Sequence, residues 1–338
     1  MKTLHPSRLD QLLESTLGVR AHRRLRESLA FDPLLERTGL GSLSRAEVAM
    51  GLAAVLFEDL CDRVPLAAAY ARESAAAGRP VVFDHGAVRC VAAPSGELPE
   101  GRRVIARLLE PLGYVETRRY DLDRLGMTGY SYTHADLPEA IPQFFVSELH
   151  PESFSPALRD AVHALVATSV DPLTDEARGA LATLSEEGRL EPAAARALLP
   201  VLRRCFERQH RNATLEEYEL FAAESPEMAW ISTEGHAFNH ITDRVDDVDR
   251  VAQVQRDLGR PVKDRVEISR SGRVVQTALR AAQVERLLWE GDRYVPRTVA
   301  GSFLEFISRE RDEAGRLDLA FDAANAQGIF KMTDGVAR

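Results

Sequence analysis

Two histidines and one glutamate have residue types and surroundings suited to metal binding. His85 lies in V-V-F-D-H-G-A-V-R, His240 in A-F-N-H-I-T-D-R-V and Glu305 in G-S-F-L-E-F-I-S-R, all of which are β-like segments. Two neutral imidazoles and one carboxylate on one side of a metal leave its other positions open, as in non-haem Fe(II) oxygenases. The sequence therefore predicts a metal-dependent oxygenase, provided that the three side chains converge.

The residues around His85 support this prediction. Asp84 or a backbone carbonyl can hold one ring nitrogen while the other faces a metal, and Gly86 allows a close backbone approach. In a strand, Arg89 points to the same face as His85, where its guanidinium is suited to bind a substrate carboxylate. The alternative interpretation is a partly buried histidine that is hydrogen-bonded in the core.

The second segment contains two candidate histidines. His236 and His240 have the same parity, so both could point inward from one strand. We prefer His240 as the ligand and assign His236 to the surrounding pocket. Spacing alone does not separate the two.

Glu305 lies between Leu304 and Phe306 in an otherwise apolar segment. A carboxylate in such a place is energetically costly unless it is paired or bound to a metal. The alternative is an edge strand with this side chain in water, and Arg309, on the same parity, could form a salt bridge with it. Gln276 lies in another β-like segment, where a glutamine on an inward face can orient a ligand.

The order of elements predicts two similar modules. A β-rich run, a helix and several strands occur around residues 80–150, and the same order recurs around 228–310, beginning with a strand at 228–232. Helices are expected in the N-terminal part, where Ser44 begins a capping box, and between the modules. The later strands are expected at 266–268, 274–277, 294–296 and 303–307. The predicted regions are N-terminal helices at 1–77, a first βαβββ-like module at 78–155, a helical insertion at 156–225, and a second such module with the C-terminal segment at 226–338.

Composition limits the classes of protein. The chain has 338 residues, of which 45% are hydrophobic and 28% charged, as in ordinary globular proteins. A net charge of -9 argues against a nucleic-acid partner, which would favour a basic face. No apolar run approaches the roughly 18–20 residues of a membrane span, so no membrane partner is expected. The widely spaced Cys61, Cys90 and Cys205 indicate a reduced, cytoplasmic protein.

Five motifs, taken in order along residues 81–330, resemble those of one family. F-D-H-G-A-V-R, F-V-S-E-L, N-H-I-T, V-V-Q-T and F-L-E-F-I-S-R resemble the 2-oxoadipate dioxygenase/decarboxylase family. That family is similar to the vicinal-oxygen-chelate fold and to hydroxyphenylpyruvate dioxygenase. The resemblance implies an α+β fold, with paired βαβββ modules forming a curved mixed sheet around a metal and helical layers at the N-terminus and in the insertion.

The resemblance also implies roles for individual residues. Fe(II) would be the cofactor, and its ligands would be His85, His240 and Glu305. His85 and Arg89 would be catalytic. The residues in contact with substrate would be His85, Arg89, Gln276, Ala324 and Asn325.

The reaction that the resemblance implies consumes a 2-oxoacid and O2. In the family, 2-oxoadipate becomes 2-hydroxyglutarate and CO2. The alternatives are another metal-dependent vicinal-oxygen-chelate enzyme, such as an isomerase, a lyase or an extradiol-type dioxygenase, and a non-catalytic ligand-binding protein. The sequence leaves the particular 2-oxoacid and the oligomeric state open.

Overall fold

Helices form the N-terminal part of the protein. The computed structural model describes residues 6–39 and 41–321. The elements of this part are α1 (Arg8–Leu17), α2 (Val19–Ser28), β1 (Leu43–Ser44), α3 (Arg45–Arg63) and α4 (Pro65–Ala76). The Ser44 side chain accepts a hydrogen bond from the Glu47 backbone at the start of α3, which confirms the predicted capping box. Residues 46–58 of α3 are all buried, because a helix that is apolar on most sides needs neighbours all round it.

The first module follows the predicted order of one strand, one helix and three strands. Its elements are β2 (Phe83–Val91), α5 (Arg103–Leu109), β3 (Tyr114–Leu122), β4 (Met127–His134) and β5 (Gln143–Leu149). Gly113 ends the helical turn after α5 with a φ of 92°, a backbone conformation that glycine adopts without steric cost. This glycine therefore allows the sharp entry into β3.

Five helices and one short strand separate the two modules. They are α6 (Pro156–Val166), α7 (Asp175–Glu187), β6 (Arg189–Leu190), α8 (Pro192–Cys205), α9 (Leu215–Glu224) and α10 (Pro226–Glu234). β6 pairs with β1 and α8 contacts α1 and α3. The insertion and the N-terminal helices thus pack against each other.

The predicted strand at 228–232 is wrong, because these residues form α10. The Ser225 side chain accepts a hydrogen bond from the Met228 backbone and Pro226 occupies the first turn, two features that start helices. Trp230 and Ile231 favour strands by intrinsic preference. All but one residue of α10 are buried, so the helix has no polar face from which its period could be recognised.

The second module repeats the order of the first and adds a hairpin. Its elements are β7 (His240–Arg244), α11 (Val248–Asp257), β8 (Glu267–Ile268), β9 (Val274–Ala278), β10 (Gln283–Glu290), β11 (Arg293–Ala300) and β12 (Phe303–Arg309). β10 and β11 pair only with each other in a separate two-stranded sheet. The sequence predicted part of β11 and did not predict β10, whose charged residues at 285, 286 and 290 mask its apolar pattern.

The two modules join in one eight-stranded mixed sheet. The strand order is β3-β4-β5-β2-β7-β12-β9-β8, so each module contributes its first strand to the centre and its last strand beside it. β2 and β7 are antiparallel, whereas β5 is parallel to β2 and β12 is parallel to β7. This arrangement makes β2, β7 and β12 neighbours, although they are far apart in sequence.

One face of the sheet packs on the helical core. A Cβ added to Gly86 would lie 2.4 Å from the ring of Phe238, so the strand approaches this ring more closely than any side chain would permit. Ile241 and Phe306 belong to the same core cluster as α3. The alternating residues of these strands, which include His85, His240 and Glu305, therefore point to the opposite face. Within residues 6–39 and 41–321, no helix is both long and apolar enough to cross a membrane.

Candidate metal centre

Three neighbouring strands bring the predicted trio together. His85 on β2 is paired with Thr242 on β7, and Thr242 is paired in turn with Glu305 on β12. The Nε2 atoms of His85 and His240 each lie 3.3 Å from Oε2 of Glu305. One candidate ligand atom from each of the three residues lies within 4.8 Å of the others.

Glu305 is a charged group in a fully buried position, with a relative exposure of 0%. Burial alone would raise the pKa of this carboxyl, but the hydrogen bonds and positive charge of His240 and His85 outweigh it and lower the pKa to about 2. The side chain is therefore a carboxylate at neutral pH. A buried carboxylate between two imidazoles is a donor set that favours a divalent cation.

Both histidines use one ring nitrogen to hold their orientation. Nδ1 of His85 lies 2.8 Å from a carboxylate oxygen of Asp84, and Nδ1 of His240 lies 3.2 Å from the amide oxygen of Asn239. These oxygens can only accept hydrogen bonds, so each Nδ1 carries the proton. Each Nε2 then presents a lone pair to the cluster when the ring is neutral, as metal binding requires.

The pKa values of the two rings shift in opposite directions. Burial disfavours the charged form of His85, but its hydrogen bonds with Asp84 and Glu305 outweigh burial and raise its pKa. Burial lowers the pKa of His240 despite its hydrogen bond with Glu305, and the nearby charges of His85 and Arg89 lower it further. The difference follows from Asp84, since His240 has the neutral amide of Asn239 where His85 has a carboxylate.

The hydrogen bonds of Glu305 leave one of its carboxylate oxygens available to a metal. The hydroxyl of Thr242 donates to Oε2 of Glu305 at 2.8 Å, whereas Oε1 of Glu305 has no hydrogen-bond partner among the described residues. Buried polar atoms without a partner are uncommon and ask for an explanation. A cation held by Glu305 and the two Nε2 atoms would provide one.

Arg89 lies on the same strand and face as His85, as the alternation predicted. Arg89 is 1% exposed, and its guanidinium carbon lies 5.0 Å from the ring centroid of Trp230. Its positive charge also contributes to the lowered pKa of His240, after the larger effect of burial. Trp230 was missed as a neighbour of the site because the sequence placed it in a strand.

The structure separates His236 from His240. His236 follows α10 in a turn outside the three-residue cluster, and burial lowers its pKa to about 4, with smaller contributions from the charges of His210 and Arg107. The sequence had allowed both histidines to point inward from one strand. The helical course of α10 removes that relation, because β7 begins only at His240.

The predicted substrate contacts are only partly described. Gln276 on β9 pairs with Ile307, two residues beyond the pair of Glu305 with Ala278, so it lies on the face of the cluster. Its Nε2 is 3.5 Å from a carboxylate oxygen of Glu267. Ala324 and Asn325 lie outside the described residues.

Arg309 does not form the salt bridge with Glu305 that the alternative interpretation allowed. Its guanidinium donates to both carboxylate oxygens of Asp84 at 2.9–3.1 Å. The pairing of β2 with β7 shifts register between Phe83 and His85, which leaves Asp84 as the extra residue of a bulge. Such a bulge re-aims a side chain, and the parity of the sequence does not reveal it.

Gln143 is a further residue of the site that sequence reasoning missed. It pairs with His85 in the parallel register of β5 with β2, so both side chains lie on one face. Its amide oxygen accepts a hydrogen bond from Thr133 at 3.0 Å, but its Nε2 has no partner within the described part of the chain. No local signal in the sequence could have found it, because its place beside His85 depends on the parallel register of β5 with β2.

Comparison of the chain with known proteins identifies a family with a matching sequence. The sequence model of the 2-oxoadipate dioxygenase/decarboxylase family matches residues 57–331. No curated protein gave a significant match. A crystal structure of a glyoxalase-superfamily protein from Ralstonia eutropha JMP134 is 49% identical, with 93% of this chain and 98% of that chain covered and a TM-score of 0.89.

Two more distant structures share the fold. Hydroxyglutarate synthase from Oryza sativa, in complex with 2-oxoadipate, is 18% identical over 90% of this chain and 97% of that chain, with a TM-score of 0.67. The Pseudomonas putida synthase, also with 2-oxoadipate, is 19% identical over 88% of this chain and 74% of that chain, with a TM-score of 0.62. These likenesses confirm the predicted α+β fold related to the vicinal-oxygen-chelate proteins. Since the family match covers most of its length, the chain belongs to the 2-oxoadipate dioxygenase/decarboxylase family and is an oxidoreductase.

Proposed function

We propose that the protein is an Fe(II)-dependent dioxygenase that converts 2-oxoadipate, or a related 2-oxoacid, and O2 into 2-hydroxyglutarate, or the corresponding 2-hydroxyacid, and CO2. For 2-oxoadipate the atoms balance with one O2 consumed for each CO2 released. The observation that carries the proposal is the buried cluster of His85, His240 and Glu305 in a chain of this family.

The three residues of the cluster would hold the metal. Nε2 of His85, Nε2 of His240 and the carboxylate of Glu305 are the donor atoms, and the two imidazoles are fixed through their Nδ1 atoms by Asp84 and Asn239. Two histidines and one carboxylate favour Fe(II) among the common metals when positions must stay open for substrate. When bound, Fe(II) would supply those open positions and the redox chemistry that O2 requires.

The other residues of the site would bind and orient the acid. Arg89 is a buried cation on the face of His85, and a guanidinium binds a carboxylate through two parallel hydrogen bonds. Gln276 lies on the same face of the second module and would contact the substrate there. Ala324 and Asn325 remain proposed contacts on the ground of the family resemblance alone.

The length of the chain is compatible with 2-oxoadipate. The rice synthase, whose structure contains 2-oxoadipate, is covered over 97% of its length by this chain, whereas the P. putida synthase extends further. A related protein of about this length thus binds 2-oxoadipate. We propose 2-oxoadipate as the first substrate to test.

The test measures O2 uptake and CO2 release together in Fe(II)-loaded protein supplied with 2-oxoadipate. We expect equal amounts of both gases and one 2-hydroxyglutarate for each CO2. Removal of the metal with a chelator should abolish both signals, and added Fe(II) should restore them. CO2 release without O2 uptake would contradict the proposal, as would the absence of reaction over a panel of 2-oxoacids. An isomerase or lyase would consume no O2.

A further inference from the structure

Arg309, the last residue of β12, connects two parts of the chain through one buried guanidinium. Nε and Nη2 donate to the Asp84 carboxylate at 2.9–3.1 Å, and Nη1 donates to the carbonyl oxygens of Asp318 and Ala320 at 2.9 and 2.8 Å. The side chain is 0% exposed. Because a guanidinium holds its donors in one rigid plane, the two attachments cannot be adjusted independently.

The first attachment acts on a proposed metal ligand. The same Asp84 oxygen that accepts from Arg309 lies 2.8 Å from Nδ1 of His85. Asp84 is buried, and both of its carboxylate oxygens accept hydrogen bonds from the Arg309 guanidinium, which neutralises its charge in place. A charged acceptor at Nδ1 fixes the tautomer and makes the ring a stronger ligand.

The second attachment acts on residues 318–321, which we call the C-terminal strap. The ring of Phe321 lies 4.8 Å from the His85 ring and 5.0 Å from the guanidinium carbon of Arg309. The Phe321 backbone N–H donates to the Tyr120 hydroxyl at 3.0 Å. The strap thus places an aromatic ring against the imidazole that Asp84 orients.

We propose that Arg309 is a positioning residue that couples the orientation of His85 to the seating of the C-terminal strap. The inference rests on the metal site proposed above. Arg309 does not belong to the donor cluster and acts only through Asp84 and the strap. An ion pair with a purely structural role would change stability alone, whereas this coupling predicts that metal binding and strap seating change together.

The test compares wild-type protein with Arg309→Lys in Co²⁺ titrations without O2. Lysine keeps the charge near Asp84 but lacks the fork that reaches the strap carbonyls. We expect Co²⁺ affinity to fall about 10–100-fold and the visible absorption band of bound Co²⁺ to move. Trypsin cleavage after the exposed Arg316, next to the strap, should become faster.

Two further variants separate the two attachments. Arg297→Lys is the matched control, because Arg297 lies on β11 in the separate two-stranded sheet, is exposed and pairs with Glu219 at 3.0 Å; it should leave all three readouts unchanged. Phe321→Ala should speed cleavage after Arg316 and, because the coupling is reciprocal, lower Co²⁺ affinity as well, but less than Arg309→Lys does, since Arg309 still binds Asp84.

A measurement on the wild-type protein avoids any folding defect of the variant. If Arg309 couples the two sites, saturation with Co²⁺ should slow cleavage after Arg316, since coupling between sites is reciprocal. The inference is overturned if Co²⁺ gives no protection, or if Arg309→Lys keeps the affinity and absorption band of the wild type. Wild-type protein that binds no Co²⁺ would instead contradict the proposed metal site.

Discussion

The two modules place equivalent histidines at the centre of the sheet but surround them differently. On β2, His85 is paired with Gln143, and Phe145 follows two residues later on β5. On β7, His240 is paired with Phe303, and Glu305 follows two residues later on β12. In the first module the polar neighbour comes first and the aromatic one second, whereas in the second module the aromatic residue comes first and the carboxylate second.

This difference explains why a symmetric framework gives an asymmetric site. Among the residues that the structure describes, only the second module supplies a carboxylate to the cluster, so the donor set found there has three members and not four. The first module instead adds Arg89 and Gln143, whose charge and amide suit an acid ligand. We infer that the second module mainly binds the metal and the first mainly orients the substrate.

The largest effect should come from removing the carboxylate that distinguishes the second module. Glu305→Gln replaces the charged donor in the fully buried cluster with a neutral amide. We expect metal affinity to fall by more than the about 10–100-fold that loss of an outer hydrogen-bond partner costs. Metal content after purification and Co²⁺ titration would measure it.

The exposed Glu310, five residues along the same segment, provides the control for this change. Glu310→Gln makes the same chemical substitution outside the cluster and should keep the metal content of the wild type. Retention of full metal content by Glu305→Gln would contradict the assignment of this residue as a ligand.

A second experiment makes the modules more alike. Phe145→Glu introduces a carboxylate at the place in the first module that corresponds to Glu305. Without metal, a second buried charge should destabilise the protein by about 2–5 kcal/mol. Added Co²⁺ should recover much of this loss, because a fourth ligand becomes available. Thermal unfolding with and without Co²⁺ would measure both effects.

Phe145→Leu is the control for loss of the aromatic ring, which packs 5.0 Å from Phe321. Its loss of stability relative to the wild type should be the same with and without Co²⁺. If Phe145→Glu gains no more stability from Co²⁺ than the wild type does, the correspondence between the two positions does not extend to metal binding.

The smallest expected effect is the change in KM when one glutamine of each module is replaced. Gln143→Leu removes an amide whose Nε2 has no partner within the described residues, whereas the Nε2 of Gln276 lies 3.5 Å from Glu267. A hydrogen bond to a charged ligand contributes about 1.5–3 kcal/mol, so Gln143→Leu should raise KM about 10-fold or more. Gln276→Leu should raise it less. Steady-state kinetics would measure the KM of both variants, and equal increases in KM would contradict the division of roles between the modules.

Local signals predicted a large part of the fold. The capping box at Ser44 and the apolar run around Glu305 depend on neighbours close in sequence, and the start of α3 and the strand β12 were predicted correctly from them. α10 was mistaken for a strand because its burial removes the helical period. β10 was missed because a hairpin outside the main sheet keeps charged residues on its strands.

The partners of individual side chains were harder to predict than the elements. Asp84 was expected to hold His85, and it does so at 2.8 Å. Parity allowed a salt bridge between Arg309 and Glu305, but a bulge in β2 brings Asp84 to Arg309 across 225 residues of sequence. Gln143 carried no local signal, because its significance depends on the parallel register of β5 with β2.

The sequence by itself determined which residues can do chemistry and which of them share a face. His85 and Arg89 lie on one side of β2 because side chains alternate along any strand, and Glu305 is conspicuous because its neighbours are apolar. Only the tertiary structure decided that the three candidate ligands meet. Their convergence depends on the long-range pairing of β2 with β7 and of β7 with β12, since hydrogen bonds between distant strands set a register that no local pattern contains.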